Sequence, residues 1–107
     1  KESIAPYSFI WFLICDKETA YYHRIASVIL SNGINHLPNA YNLALFHARR
    51  SVELEPTNVD NLQWLLFFNI LPDKLISDEE AVKIARKVLR YKPNDKASLD
   101  VLEKVKK

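Results

Sequence analysis

Residues 44–58 read ALFHARRSVELEPTN and residues 81–95 read AVKIARKVLRYKPND, and the two lie over one another without a gap. Ala44 falls on Ala81, Ala48 on Ala85, Val52 on Leu89 and Pro56 on Pro93, a period of 37 residues. Alanines at i and i+4 share one helical face, and their small size lets a neighbouring helix come close. Each stretch ends at a proline, which has no N–H with which to continue a helix. The chain states one helical phrase twice.

The rest of the chain has the same character. Residues 18–31, ETAYYHRIASVILS, place Tyr22, Ile25, Ala26 and Ile29 at i, i+3, i+4 and i+7, one face of a helix. Asn32-Gly33 stops it, glycine being suited to a left-handed terminator, and INHLPN connects to a helix over 39–53. The predicted buried side of that helix is Ala40, Leu43, Ala44, Ala48 and Val52, with Arg49 and Arg50 near its negative end. Residues 59–71, VDNLQWLLFFNIL, are apolar nearly all round, which predicts a central helix packed on several sides. Ser77 and Glu80 form a capping box for the next helix, with Asp78 and Glu79 adding charge at its positive end. Its buried stripe is Ala81, Ile84, Ala85, Val88 and Leu89, while Lys83, Arg86, Lys87 and Arg90 face water. Asp95 caps a final helix, 96–105, whose apolar residues are Leu99, Leu102 and Val105.

The opening stretch, Ala5 to Cys15, is the most hydrophobic part of the chain and has Pro6 in its first turn. A membrane span needs about 20 apolar residues, and charges follow at once in Asp16-Lys17-Glu18. A short buried helix is predicted, with Cys15 an inert buried thiol. A single cysteine forms no intrachain disulfide, and no leader is visible in these residues, so the cytoplasm is the default compartment.

Composition agrees with one all-α domain over 1–107. The chain has one glycine, too few for the tight turns of hairpin-rich β structure and for any glycine-rich phosphate loop. Net charge is +2, yet residues 73–107 hold 10 Lys/Arg and 7 Asp/Glu against 5 and 6 in residues 1–72. The apolar first two-thirds supply most of the core, and the last third is a charged helix pair.

A period of 20–50 residues marks a helical repeat array. The pattern of 44–58 and 81–95 resembles the second helix of tetratricopeptide repeats, and Tyr22, Ile25, Ala26 and Ile29 keep the first-helix spacing of that family with substitutions. Leu62, Leu65, Leu66 and Asn69 keep part of it, with Leu66 where the family has a small residue. The family's unit is about 34 residues, so the period here implies about three extra residues in PDKLISD. The resemblance implies two helical-hairpin repeats, 18–55 and 59–92, with a capping helix at 96–105. The helix at 5–15 has no counterpart in the family and packs across one end.

No catalytic signature is present. His23, His36 and His47 are not spaced as a metal-binding pair, and no Cys/His cluster accompanies them. His36 is read as a loop residue and His47 as a half-buried structural one. Asp78-Glu79-Glu80 is explained by capping. No enzyme activity, cofactor, metal or small-molecule substrate is expected. In the family the first helices of successive repeats line a concave face. By resemblance, His23, Ser27, Asp60, Gln63 and Phe67 line a solvated groove that binds a partner protein or peptide. Two alternatives stand beside this reading. One is a small bacterial toxin-neutralising (immunity-type) protein. The other is a self-assembling domain whose apolar helices 5–15 and 62–71 cover a homodimer contact. Nucleic-acid binding through Lys83, Arg86, Lys87, Arg90, Lys104, Lys106 and Lys107 is disfavoured by the interleaved acids.

Overall fold

A computed structural model describes residues 5–32, 40–71 and 74–106. The Gly33 terminator, the connector with His36, Lys107 and the side chain of Lys106 lie outside the described residues. Among those described there are six α-helices and no strand. No described helix is long and apolar enough to cross a membrane. The chain divides into two compact units, Lys1–Pro56 and Thr57–Lys107.

The first unit holds α1 (Ala5–Asp16), α2 (Ala20–Asn32) and α3 (Ala40–Leu54). Thr19 opens α2 by accepting a hydrogen bond from the Tyr22 amide at 3.0 Å. The predicted stripe of α2 faces α1. Ile10, Ile14 and Ala26 form a buried cluster, and Tyr7, Leu13, Tyr22, Ile25 and Ile29 pack against it. A second face of α2 is buried too, and it carries polar residues: Ala20, His23, Ser27, Leu30 and Ser31. It meets α3 in antiparallel register, with Ser27 beside Ala44 and His23 beside His47.

On α3 the buried residues are Ala40, Ala44, His47, Ala48 and Ser51. Leu43, expected inside, is 39% exposed, and Val52 is half-buried. The buried face is turned toward His47, which meets His23 across the contact, and toward Ser51, whose hydroxyl donates to the Ala48 carbonyl of its own helix at 2.7 Å. The prediction of a buried opening helix also needs correction. α1 buries Ile10 and Ile14, but Phe9, Trp11, Phe12 and Cys15 are exposed. A helix that is apolar all round and has one principal neighbour, α2, can hide one side only.

The second unit holds α4 (Val59–Ile70), α5 (Asp78–Tyr91) and α6 (Lys96–Lys106). Asn58 caps α4, accepting from the amides of Asp60 (3.0 Å) and Asn61 (3.4 Å). The breadth of the apolar surface on α4 is used: Leu62, Leu65, Leu66 and Phe68 are all buried, although Ile70 at its end is 56% exposed. Ser77 caps α5 through the Glu80 amide at 3.2 Å, and Ala81, Ile84, Ala85 and Val88 of the predicted stripe are buried, while Leu89, expected with them, is half-buried. Asp95 caps α6 and takes both the Ser98 amide (3.0 Å) and hydroxyl (2.7 Å). That double bond holds Ser98 inward, with Val101 one turn further along. The predicted apolar line of α6 is therefore rotated away: Leu99 and Val105 are exposed.

Candidate functional site

The five residues expected to line a groove do not form one within either unit. His23 and Ser27 are 2% and 0% exposed. They face α3 rather than solvent, and Ser27 donates to the Ala44 carbonyl at 2.7 Å. The reason is chemical: a hydroxyl and an imidazole next to alanines allow a close helix contact and supply the hydrogen bonds that such a contact needs. In the second unit Asp60 is exposed in the first turn of α4. Gln63 donates to Asp95 at 2.7 Å, which ties α4 to the cap of α6. Phe67 is half-buried and stacks on Trp64, ring centroids 4.9 Å apart and 15° from parallel.

What the sequence does not announce is a polar chain through the first unit. Tyr7 on α1 reaches His47 on α3, hydroxyl to Nε2, at 2.9 Å. His47 Nδ1 lies 2.8 Å from His23 Nδ1 on α2. His23 Nε2 lies 2.6 Å from Glu18 Oε2 in the turn before α2. Arg50 closes the chain from α3, donating through Nε to Oε2 at 2.6 Å and through Nη2 to Oε1 at 3.0 Å. Its Nη1 also donates to Glu53 at 3.1 Å. The two rings are tilted at 33° with centroids 5.0 Å apart. Tyr7, Trp11 and Phe46 all stand edge-on to His47, at 5.7, 5.6 and 5.1 Å. His47 is wholly buried, not half-buried as expected.

Electrostatics assign the protons. The hydrogen bonds from Arg50, and after them the one from His23, hold the Glu18 carboxyl down at about 2. Glu18 in turn, with Glu53, raises the Arg50 guanidinium above its ordinary value. An ionised carboxylate only accepts, so His23 Nε2 donates to it. His23 Nδ1 is then an acceptor, His47 Nδ1–H donates to it, and the Tyr7 hydroxyl donates to His47 Nε2. Burial, and next repulsion from a protonated His23, pushes His47 down to about 4 from an ordinary 6.5. Burial raises the Tyr7 phenol.

An open pocket of about 270 Å³ in the second unit is bordered by Ile70, Lys74, Asp100, Val101 and Lys104. Its charges are already engaged: Lys74 with Asp78, Lys104 with Asn69 and Asp78, and Asp100 with Lys96. Asn69 donates to the Ile76 carbonyl and to Asp78, both at 2.9 Å, and that bond, followed by the one from Lys74, keeps the Asp78 carboxyl below its ordinary value. Among the described residues no group of three or more His, Cys, Asp or Glu is placed to hold a metal ion.

Exposed aromatic side chains gather on α1. Phe12 is 67% exposed, Phe9 63% and Trp11 42%, and Phe46 on α3 is 51% exposed. No charged side chain occurs between Ala5 and Cys15. Compared with protein families, with curated proteins and with solved structures, the chain finds no match.

Proposed function

We propose that this chain is a non-catalytic protein-binding module of tetratricopeptide-like build, and that α1 carries its docking surface. The observation behind this reading is the exposure of Phe9, Trp11 and Phe12 on a helix with no charged side chain from Ala5 to Cys15. Contiguous exposed aromatics of this kind favour a partner, because water is a poor neighbour for them. Aromatic anchors carry a large share of the binding energy in protein interfaces. The absence of charge fits a partner protein presenting an apolar, uncharged surface, since no ion on α1 has to be desolvated when the surfaces meet. The repeat reading rests on the aligned prolines and on Ala44, Ala48, Ala81 and Ala85, all fully buried on α3 and α5.

Self-assembly through the same surface is the second reading, and one experiment separates the two. The native chain and a Phe9→Ser/Phe12→Ser chain serve as baits, while sedimentation gives the mass of each over a concentration series. A partner held by the native chain and lost from the variant supports the module with its α1 surface. Equal capture by both baits overturns that surface. A mass that rises with concentration in the native chain alone overturns the partner reading in favour of a homodimer.

A further inference from the structure

The buried chain Tyr7–His47–His23–Glu18 has a property beyond holding three helices together. The geometry points to a one-proton switch: when the histidine pair takes up a proton, the Tyr7 hydroxyl changes from donor to acceptor, and its own proton is freed to turn away from His47.

Connectivity alone carries the argument. With both rings neutral the order is fixed from the Glu18 end, as derived above, and every hydrogen bond runs toward the carboxylate. The facing Nδ1 atoms are 2.8 Å apart, so the space between them holds one hydrogen and no more. His23 Nε2 already carries the hydrogen donated to Glu18 at 2.6 Å. A proton entering the pair therefore has two placements. It sits on His47 Nε2 directly, or it arrives on His23 Nδ1 and displaces the His47 hydrogen from Nδ1 to Nε2. Both end with Nε2–H on His47, facing a phenol oxygen 2.9 Å away that must now accept. The balance is one proton in and none out. The bond to Glu18 is unchanged, one hydrogen remains between the rings, and the bond to Tyr7 reverses.

The groups that face the pair come from every helix of the unit: Tyr7 from α1, Glu18 from the turn before α2, and Arg50 and Glu53 from α3. Arg24, next to His23 in sequence, is turned onto the Tyr21 ring at 5.8 Å. The carboxylate stands at the His23 end and the Trp11 ring at the His47 end, with Phe46 edge-on to both histidines. The counter-charge therefore lies at the His23 end, and the reversal is felt at Tyr7. A proton gained at one end is read out as hydrogen-bond polarity at the other, on α1.

The test uses the full chain with His36→Gln, labelled with ¹⁵N in its two remaining histidines. Ring nitrogen spectra are followed from pH 8 to 5. At the alkaline end one ring should be protonated at Nδ1 only and the other at Nε2 only, the unequal pair that the chain demands. On acidification one proton should enter, and the ring that began as Nδ1–H should gain a proton at Nε2. Two rings that both hold the Nε2–H form at pH 8, or that titrate independently, overturn the switch. Glu18→Gln, on the surface and checked for helix content, supplies the second arm. Loss of the anion should move proton uptake about one pH unit lower; uptake at an unchanged pH overturns the assigned direction of the chain. Neither arm depends on whether α1 docks a partner.

Discussion

The two units seal their helices by different means. In the first, the buried faces of α2 and α3 are alanines, three serines, Leu30 and a pair of histidines, and hydrogen bonds set the register. In the second, Leu62, Leu66, Phe68, Ile76 and Val88 are fully buried, so area removed from water dominates. A polar seam is specific but depends on protonation. An apolar one tolerates pH but loses heavily when a side chain is truncated. Each unit has one tryptophan, Trp11 and Trp64, so Trp64→Phe and Trp11→Phe backgrounds let fluorescence follow the units one at a time.

The largest contrast should come from Phe68→Ala, which removes a fully buried ring from α4. A loss of about 4 kcal/mol is expected in urea unfolding followed by Trp64. An equal loss reported by Trp11 would mean that the contrast between the seams does not hold.

Acid should act the other way round. His47, ordinarily near 6.5, is pushed down to about 4 in the folded chain. Between those values the unfolded chain binds the proton and the folded chain does not, so stability falls as pH drops from 6.5 to 4, by about 3 kcal/mol in all. The carboxyl groups of the second unit behave differently. At Asp95 burial pushes upward, but the bonds from Ser98 and Gln63 outweigh it, and both Asp95 and Asp78 lie below their ordinary 3.8. Their contribution is complete above that value and is lost only as pH falls below it. Trp11 should therefore report a transition weakening between pH 6.5 and 4, while Trp64 reports little change. Matching pH profiles would remove the distinction.

A gain is expected from Asn61→Leu. Asn61 is buried in α4, and among the described residues neither polar atom of its amide has a hydrogen-bond partner. Replacing it with a side chain of similar size that needs none should add about 1–2 kcal/mol to the unit that already relies on apolar contact. A loss instead would mean that the amide has a use that outweighs its burial. The smallest effect should be that of Ser77→Ala, which takes one acceptor from the start of α5 and costs about 1 kcal/mol. Its detection by Trp64 and not by Trp11 would sharpen the separation.

How much of this was legible in the sequence follows the same division. The capping of α5 by Ser77 and of α6 by Asp95, and the stripe Ala81–Ile84–Ala85–Val88, depend on residues close in the chain, and periodicity finds them. The stripe of α2 was found as well, but its second buried face was not, because Ser27, Ser31 and His23 look like surface residues when taken singly. The pairing of His23 with His47 spans 24 positions, and no local pattern marks it. A retrospective signal exists: both lie one turn from an alanine on an amphipathic helix, His23 from Ala20 and His47 from Ala44. The faces of α1 and α6 were misjudged for another reason. Apolarity says what a helix is able to bury, and only the number of its neighbours says how much it does bury.

Cys15 has a practical bearing on the measurements above. It is exposed on α1, one turn from Trp11 and Phe12, and it is the chain's single cysteine. Under air, two copies can join through it and imitate a non-covalent dimer at the very surface in question, so mass measurements belong in reductant. With a fluorophore attached instead, the same sulfur becomes a single-position reporter, lying beside the aromatic rings that a partner would cover.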